Sequence, residues 1–252
     1  MIVNYDKKFI FVGVPFSACS AISKELIEHY QCEALLHKHA NIPALLLARP
    51  DINIKDFEII AVIRDPVAAS VTLYHWLKDN RNEHFTKAEN FFENGGTVIR
   101  RHRMLYATIQ KQNMTFQQYL DHCFRFVPYD GLLSENINFL TKTIRYDHLQ
   151  DDFRTCFSAL GLEIDRDLPA YNQTANKEDS FGVDEQRLAK YFGPYLLYNA
   201  SACQHLESYQ KFDRAAVSWF NVAKFYIFRK LKSYYRLRYD MSLVTKKISH
   251  ID

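Results

Sequence analysis

The sequence predicts an α/β protein with a central parallel sheet flanked by helices and a helix-rich C-terminal half. Three stretches have the length and composition of strands, at residues 9–14, 57–63 and 143–146. The second stretch shows no polar alternation after Glu58, which is typical of a strand buried on both faces of a parallel sheet. Stretches with helical periodicity follow these strands, as expected when helices cover both faces of such a sheet.

Length and net charge limit the organisation and the partners of the chain. It has 252 residues, of which 48% are hydrophobic, and this is enough for one well-buried domain. We assign residues 1–212 to that domain and residues 213–252 to a basic, aromatic C-terminal helix or tail. The formal net charge of +3 is too small to indicate a nucleic-acid partner, and we expect none.

The cysteine pattern and the N-terminal residues bear on the compartment. The five cysteines are widely spaced, without a CxxC pair or a Cys/His cluster. This favours a reducing compartment and predicts no metal site. Residues 1–16 lack the long apolar segment of a signal peptide, and no apolar run reaches the about 20 residues that span a bilayer. We therefore expect a cytoplasmic protein that could also bind a membrane surface.

The first strand and its loop have the frame of a phosphate-binding loop. A strand at 9–14 is followed by a loop at 15–20 and by a helix with apolar residues at helical spacing. Gly13 is the only glycine before Gly95, so neither GxxxxGK[ST] nor GxGxxG is present. A P-loop NTPase and a Rossmann dehydrogenase are therefore disfavoured, and the missing Walker lysine also disfavours a kinase.

The central strand ends at an arginine beside a helix start. Asp65 is a good N-cap and Pro66 suits the first helical position. Val67, Ser70, Val71, Tyr74 and Leu77 then fall on one helical stripe. Arg64 is thereby placed at the carboxyl end of a buried strand, where open α/β sheets bind anionic ligands.

Capping residues and helix-breaking residues predict the remaining elements. We predict helices over 42–48, over 116–120 with Thr115 as N-cap, over 147–160, and over 183–209 with a break at Gly193-Pro194. Residues 168–180 read as a loop. A basic segment contains Arg100, Arg101 and Arg103. It could be a solvated helix face or could contact an anionic glycan.

The segment from Arg214 to Arg238 differs in composition from the rest. It contains seven Lys/Arg and no acidic residue. Because the whole chain has a net charge of +3, the remaining residues have a net charge of −4. Aromatic residues are interleaved with these charges. Two interpretations stay open, a last helix packed on the domain with its lysines in solvent, or a helix that contacts an anionic membrane or another partner.

The central stretch resembles a known motif. Arg64-Asp65-Pro66, then Thr72 and Tyr74, resembles the 3′-phosphate-binding motif of sulfotransferases that use 3′-phosphoadenylyl sulfate (PAPS). In that motif a serine lies eight residues after the arginine and a tyrosine two residues further on. Threonine replaces the serine here and keeps the hydroxyl. The resemblance implies that Arg64 and Thr72 bind the 3′-phosphate through charge-assisted hydrogen bonds.

A second segment is similar to the same family. Residues 144–153, with Leu160-Gly-Leu162, Leu168-Pro169 and Asn172, are similar to the Tyr-Glu-x-Leu, Leu-Gly and Leu-Pro-x-x-Asn series of bacterial and glycan sulfotransferases. The resemblance covers roughly residues 7–209. It implies the P-loop-like sulfotransferase fold, and it implies that Tyr146 lies near the adenine of the nucleotide.

The loop after the first strand departs from the family pattern. The family's 5′-phosphosulfate loop typically reads Pro-Lys-Thr-Ala-Gly-Thr-Ser, and the aligned residues here are Pro15, Phe16, Ser17, Ala18, Cys19, Ser20 and Ala21. Hydroxyls and backbone N–H groups could still surround a 5′-phosphate. The lysine, which in the family faces the sulfuryl group, is replaced by Phe16. Either another cation substitutes for it or activity is lost; the nearby candidates are Lys24, Arg49, His37 and Lys38, of which the last two lie beside the expected base.

The expected base is His39. Lys38-His39-Ala40-Asn41 resembles the Lys-His-Ala-Thr sequence that precedes the central strand in many bacterial relatives. A general base must take the proton of the acceptor hydroxyl, and a histidine suits this role. An ordinary loop histidine remains the alternative interpretation.

The resemblance implies a PAPS-dependent sulfotransferase that releases 3′,5′-adenosine bisphosphate (PAP). A hydroxyl of a carbohydrate or glycolipid is the expected acceptor. Because Phe16 replaces the lysine, the alternative is a non-catalytic member of the fold that binds PAP or another nucleotide and acts as a binding or interaction protein.

Overall fold

The computed structural model describes residues 1–131, 135–169 and 182–248, with side chains described up to residue 235. Its centre is a sheet of five strands, which are β1 (Ile2–Asn4), β2 (Phe9–Val12), β3 (Glu33–Ala34), β4 (Glu58–Ile63) and β5 (Lys142–Arg145). Their order in the sheet is β3-β1-β2-β4-β5.

The sheet is mixed, and only its larger part is parallel. Strands β2, β4 and β5 run parallel, with Phe11 beside Ile60 and Val62 beside Ile144. Strand β1 is antiparallel to both β2 and β3. The prediction of a parallel sheet is thus correct for the centre and wrong for this edge. Strands of three and two residues are too short to show a periodicity, and a turn at 5–8 folds β1 back onto β2.

Helices surround the sheet. The α-helices are α1 (Cys19–His29), α2 (Ile42–Ala48), α3 (Pro66–Asp79), α4 (Arg100–Gln112), α5 (Phe116–Phe124), α6 (Leu149–Ser158), α7 (Glu185–Arg187), α8 (Gly193–Tyr198), α9 (Ala200–Cys203), α10 (Glu207–Lys211) and α11 (Trp219–Ile248). Short 3₁₀ turns lie at Ile54–Asp56, Arg81–Glu83, Ala88–Asn90, Phe92–Asn94, Ile137–Phe139 and Tyr146–His148.

The predicted helix starts are confirmed where a side chain caps them. The carboxylate of Asp65 accepts hydrogen bonds from the N–H groups of Val67 and Ala68 at the start of α3. Thr115 and Gln118 form a reciprocal capping box at the start of α5. Helix α2 has the predicted bounds. Capping signals in the sequence therefore predict where α3 and α5 begin, and the bounds of α2 are also predicted correctly.

The C-terminal half is helix-rich, as predicted. The predicted break at Gly193-Pro194 is wrong. A π-helical turn at Leu188–Phe192 continues directly into α8, which begins at Gly193. Gly193 packs so closely on Val217 that an added Cβ would lie 2.6 Å from a Val217 methyl group. The loop predicted at 168–180 lies largely outside the described residues, as does Asn172.

Each face of the sheet carries its own core. Alternate residues of β2 and β4 point to opposite faces. Ile10 and Ile59 contribute to the larger core under α2, α3 and α5, whereas Phe11 and Ile60 contribute to the smaller core under α1 and α6. Residues 59–63 of β4 are all buried. The prediction that this strand is buried on both faces is therefore confirmed.

The first half of α11 lies against the rest of the chain. Its Phe225 is fully buried and contacts the ring of Tyr198 in α8 at a centroid distance of 5.6 Å. Of the helices described, none is long and apolar enough to cross a bilayer.

Candidate functional site

The candidate site lies at the carboxyl ends of the three parallel strands. The loop of residues 15–18 follows β2, Arg64 follows β4, and Tyr146 follows β5. Because these strands are neighbours in the sheet, their carboxyl ends meet at one edge. Residues separated by more than 120 positions in the chain are thereby brought together.

Arg64 is the centre of this cluster. Its Nη1 donates a hydrogen bond to the Phe16 carbonyl at 2.6 Å, and its Nη2 donates to the Thr72 hydroxyl at 2.9 Å. The ring of Tyr146 lies over the guanidinium at 4.2 Å. Burial lowers the pKa of Arg64, and the nearby Tyr146 and Asp65 act in the opposite direction. Arg64 thus links all three strand ends.

The guanidinium retains donors for a ligand. It has five N–H groups, and the two contacts to Phe16 and Thr72 use two of them. Its buried Nε has no hydrogen-bond partner among the described residues. An unpartnered donor on a partly buried cation is costly. Because Nε is buried, the donors that remain for a ligand are the other N–H groups of Nη1 and Nη2, and a phosphate oxygen is an acceptor that suits them.

The loop after β2 has an unusual backbone. Phe16 and Ala18 adopt left-handed conformations with φ of 62° and 57°, which cost non-glycine residues of order 1 kcal/mol each. The buried Ser17 hydroxyl donates to the Val14 carbonyl at 2.6 Å. Ser17 therefore stabilises the turn, whereas Ser20, which the sequence aligns with the loop, is the second residue of α1.

Helix α1 starts without a side-chain cap. Its N-cap is Ala18, and its first turn contains no acidic residue. Such a helix start favours an anion near its backbone N–H groups. Cys19 is buried, and burial raises the pKa of its thiol although the charge of Lys38 acts to lower it. The sequence places Cys19 in a ligand-facing loop, but its side chain belongs to the core.

The segment 37–39 packs against the end of β2. Gly13 allows this approach, because an added Cβ would lie 2.6 Å from the Lys38 carbonyl oxygen. His39 Nδ1 lies 2.8 Å from the Gly13 carbonyl oxygen, and a carbonyl can only accept. His39 Nδ1 therefore carries a proton, and in the neutral ring the lone pair is on Nε2. His37 Nδ1 accepts from the His39 backbone N–H at 3.3 Å.

Lys38 reaches the loop. Its Nζ donates to the Ser20 hydroxyl at 2.5 Å. Of the other three candidates, His37 accepts the hydrogen bond described above, Lys24 pairs with Glu28 on α1, and Arg49 makes a two-point contact with Asp51. A shallow, open hollow of about 300 Å³ adjoins this contact; it is lined by Ser20, Ser23, Lys24, Ile27, Glu28 and Lys38.

Some residues of the cluster carry no signal in the sequence. Tyr129 and Tyr195 line a small cavity beside Arg64 with a volume of about 20 Å³, about enough for one water molecule. Burial raises the pKa of both phenols. Asp65 accepts hydrogen bonds from the backbone N–H and hydroxyl of Ser208 at 2.9 and 2.7 Å. These contacts come from distant parts of the chain, and no spacing rule predicts them.

Other motif residues are structural. Tyr74 is buried and donates to the Met114 carbonyl at 2.6 Å, so it belongs to the core. Arg103 pairs with Glu93 and lies 4.0 Å from the centre of the Phe91 ring. These two contacts explain the position of the Arg103 side chain without an anionic glycan as ligand. Among the described residues there is no group of three or more His, Cys, Asp or Glu that could hold a metal ion.

Comparison with known proteins adds no family assignment. No protein-family model matches the chain, and neither the curated proteins nor the solved structures contain a significant match. The observed architecture is an α/β fold with a mixed, centrally parallel sheet. What the site does must therefore be argued from its own residues.

Proposed function

We propose that the protein is a PAPS-dependent sulfotransferase with the P-loop-like sulfotransferase fold. It transfers the sulfuryl group from PAPS to a hydroxyl, and a carbohydrate or glycolipid is the acceptor. The observation that carries the proposal is the hydrogen bond between Arg64 and Thr72 at the carboxyl end of β4. It joins the two residues to which the motif resemblance gives one role, and Tyr146 lies on the same guanidinium.

In this proposal each group of the nucleotide has its own contacts. Arg64 holds the 3′-phosphate with its charge, and the Thr72 hydroxyl, which donates to the Ala68 carbonyl in this structure, turns to donate to the phosphate. The 5′-phosphate lies at residues 15–21, which form a loop up to Ala18 and then the first turn of α1, where the uncapped helix start favours negative charge. Tyr146 is partly exposed and has one ring face over Arg64. Its other face and its edge are the surfaces that could contact the adenine.

His39 acts as the base in the transfer. The acceptor oxygen forms a bond to sulfur while the bond from sulfur to the bridging oxygen breaks, and the electron pair of that bond stays on the phosphate of the departing PAP. The proton of the acceptor hydroxyl goes to His39 Nε2. The hydrogen bond from Nδ1 to Gly13 supports this role, because it fixes the ring and its tautomer. A positioned base contributes on the order of 10²–10⁴-fold in rate.

Lys38 takes the place of the missing loop lysine. Its contact with Ser20 puts a cation at the first turn of α1. There it can stabilise the charge that develops as the bond to the phosphate breaks. Positioned charge is the main contribution of a protein to reactions of this type.

A second function is favoured by one observation. Phe16 stands where the family has its lysine, and its carbonyl accepts a hydrogen bond from Arg64. A chain with this loop could bind PAP without transferring sulfate. It would then be a non-catalytic, nucleotide-binding member of the same fold.

Two measurements on the full chain separate these functions. The first is a thermal shift with PAP, and the second is transfer of radiolabelled sulfate from PAPS to a panel of glycans and glycolipids. Binding together with transfer is the expected result. Binding without transfer favours the non-catalytic member, and the absence of both contradicts both functions.

A further inference from the structure

Helix α11 has one face that lies against the rest of the chain. Phe225 is buried on that face. Lys232 donates hydrogen bonds to the Asp130 carboxylate at 2.7 Å and to the Gly131 carbonyl at 3.1 Å. The guanidinium of Arg229 lies 4.3 Å from the centre of the Tyr198 ring. Two of the basic residues in this segment are thus engaged within the molecule.

The opposite face of α11 is apolar and exposed. Residues 220, 227, 231 and 234 lie 7, 4 and 3 positions apart, which places them within about 60° of one another around a helix. We call this set the outer stripe; it consists of Phe220, Ile227, Leu231 and Tyr234. Ile227 is 59% exposed and Tyr234 is 57% exposed. A surface helix normally presents polar residues to solvent, so a stripe of this kind indicates a binding surface.

Lysines flank the outer stripe on both sides. At 100° per residue, Lys224 and Lys230 fall on either side of it. The Nζ of Lys224 lies 4.4 Å from the centre of the Phe220 ring, and Lys230 is exposed. Trp219, which is 78% exposed, stands at the start of the helix. One lysine therefore lies on each side of the apolar and aromatic groups.

The charge of the segment selects the occupant of this surface. From Arg214 to Arg238 the chain has seven Lys/Arg and no acid. Because Arg229 and Lys232 are engaged within the molecule, the positive charge beside the outer stripe is that of Lys224 and Lys230, and it complements a negative surface. Tryptophan, phenylalanine and tyrosine rings are suited to the headgroup level of a membrane, where lysines contact lipid phosphates. No described helix is long and apolar enough to cross a bilayer, so this helix would lie along the surface.

We propose that the outer stripe of α11 binds an anionic membrane surface, with the helix axis parallel to the membrane plane. The apolar side chains enter the headgroup region, and Lys224 and Lys230 contact lipid phosphates. This proposal is independent of the proposed sulfotransferase activity, because none of the residues that carry it belongs to the candidate site.

The test is co-sedimentation of the full chain with vesicles. One set contains phosphatidylcholine with about a third phosphatidylserine, and the other contains phosphatidylcholine alone. We expect binding to the anionic vesicles, a marked loss of binding in 0.5 M salt because surface charges are then screened, and little binding to the neutral vesicles. Failure to bind anionic vesicles, or equal binding to both sets, would overturn the proposal.

Matched variants locate the binding surface. Ile227→Asp should weaken binding to anionic vesicles at least about tenfold, since the negative charge of the aspartate is repelled by the anionic lipids. Met104→Asp is the control, because Met104 is a similarly exposed apolar residue, 60% exposed, on α4. An equal loss in both variants, or no loss in either, contradicts the assignment to α11. Unchanged thermal unfolding of Ile227→Asp excludes a folding defect, and if it does unfold earlier, Lys224→Gln with Lys230→Gln replaces it.

A second copy of the chain is the competing occupant. Light scattering without lipid over a range of protein concentrations tests it. A concentration-dependent dimer that Ile227→Asp abolishes would assign the stripe to self-association and overturn the membrane proposal. A monomer at all concentrations, together with salt-sensitive binding to anionic vesicles, supports it.

Discussion

Arg64 donates a hydrogen bond from Nη2 to the hydroxyl of Thr72 at 2.9 Å, across the junction between strand β4 and helix α3. The Thr72 hydroxyl in turn donates to the Ala68 carbonyl at 3.1 Å. Thr72 is thereby fixed against its own helix, and it positions the guanidinium that follows the strand. The cation and the hydroxyl of the proposed 3′-phosphate clamp form one unit.

Replacement of either member of this clamp should weaken PAP binding by different amounts. We expect Thr72→Val to weaken it about tenfold, the loss of one hydrogen bond to a charged group. Arg64→Gln should weaken it at least about 100-fold, because a buried charge contact is lost. Isothermal titration with PAP measures both. Arg49→Gln is the control, since Arg49 is paired with Asp51; equal affinity in all four proteins would contradict the clamp.

Replacement of His39 should separate binding from turnover. His39→Ala is expected to keep PAP affinity nearly unchanged while transfer falls on the order of 10²–10⁴-fold, since only the proton acceptor is removed. His122→Ala, on an exposed position of α5, serves as the control and should transfer at the rate of the parent chain. Retention of full activity in His39→Ala would reject the base assignment.

The role of Lys38 can be tested by removing its charge and then returning a lysine to the loop. Lys38→Ala should lower kcat on the order of 10²–10³-fold, the usual effect of removing one group that stabilises developing charge. Lys24→Ala is the matched control, because Lys24 lines the same hollow but pairs with Glu28. Adding Phe16→Lys to Lys38→Ala should restore part of kcat by returning the lysine to the loop. Equal rates for the Lys38 and Lys24 variants would mean that Lys38 is not the substitute cation.

Local sequence signals account for the parts of the fold that were predictable. Strand β4 has a continuous apolar run, and α3 has its cap and its proline within three residues of that run. Both the strand end and the helix start are therefore determined by neighbours in the chain, and Arg64 lies between them. Strands β1 and β3 are short and owe their conformation to pairing with each other and with β2. Their sequences alone carry no comparable signal.

The same distinction applies to the site. Arg64, Thr72 and Tyr146 could be named because short motifs contain them. The contacts of Asp65 with Ser208 and of Lys38 with Ser20 depend on the packing of separate elements. The role of Gly13 was equally hidden, because the close approach of the Lys38 carbonyl becomes visible only in three dimensions.

The junction between β5 and α6 should make stability depend on pH. Asp152 accepts hydrogen bonds from the Arg145 guanidinium at 2.8 and 2.9 Å and from the Arg145 backbone N–H at 2.8 Å. These bonds hold the pKa of Asp152 below its ordinary value of 3.8. A lowered pKa in the folded state adds stability above this ordinary value, and that contribution disappears as the pH falls through the folded pKa.

We therefore expect Asp152→Asn to lower the free energy of unfolding by about 1–3 kcal/mol at pH 7, and the difference from the parent chain to shrink as the pH falls below about 4. Urea unfolding at pH 7, 5, 4 and 3 measures this. Asp51→Asn is the control, since Asp51 has the same kind of partner in Arg49 but is exposed to solvent, and its effect should be smaller. Because Tyr146 follows Arg145 directly, Asp152→Asn should also weaken PAP binding at pH 7. A difference in unfolding free energy that stays constant from pH 7 to 3 would show that Asp152 acts through packing and not through its charge.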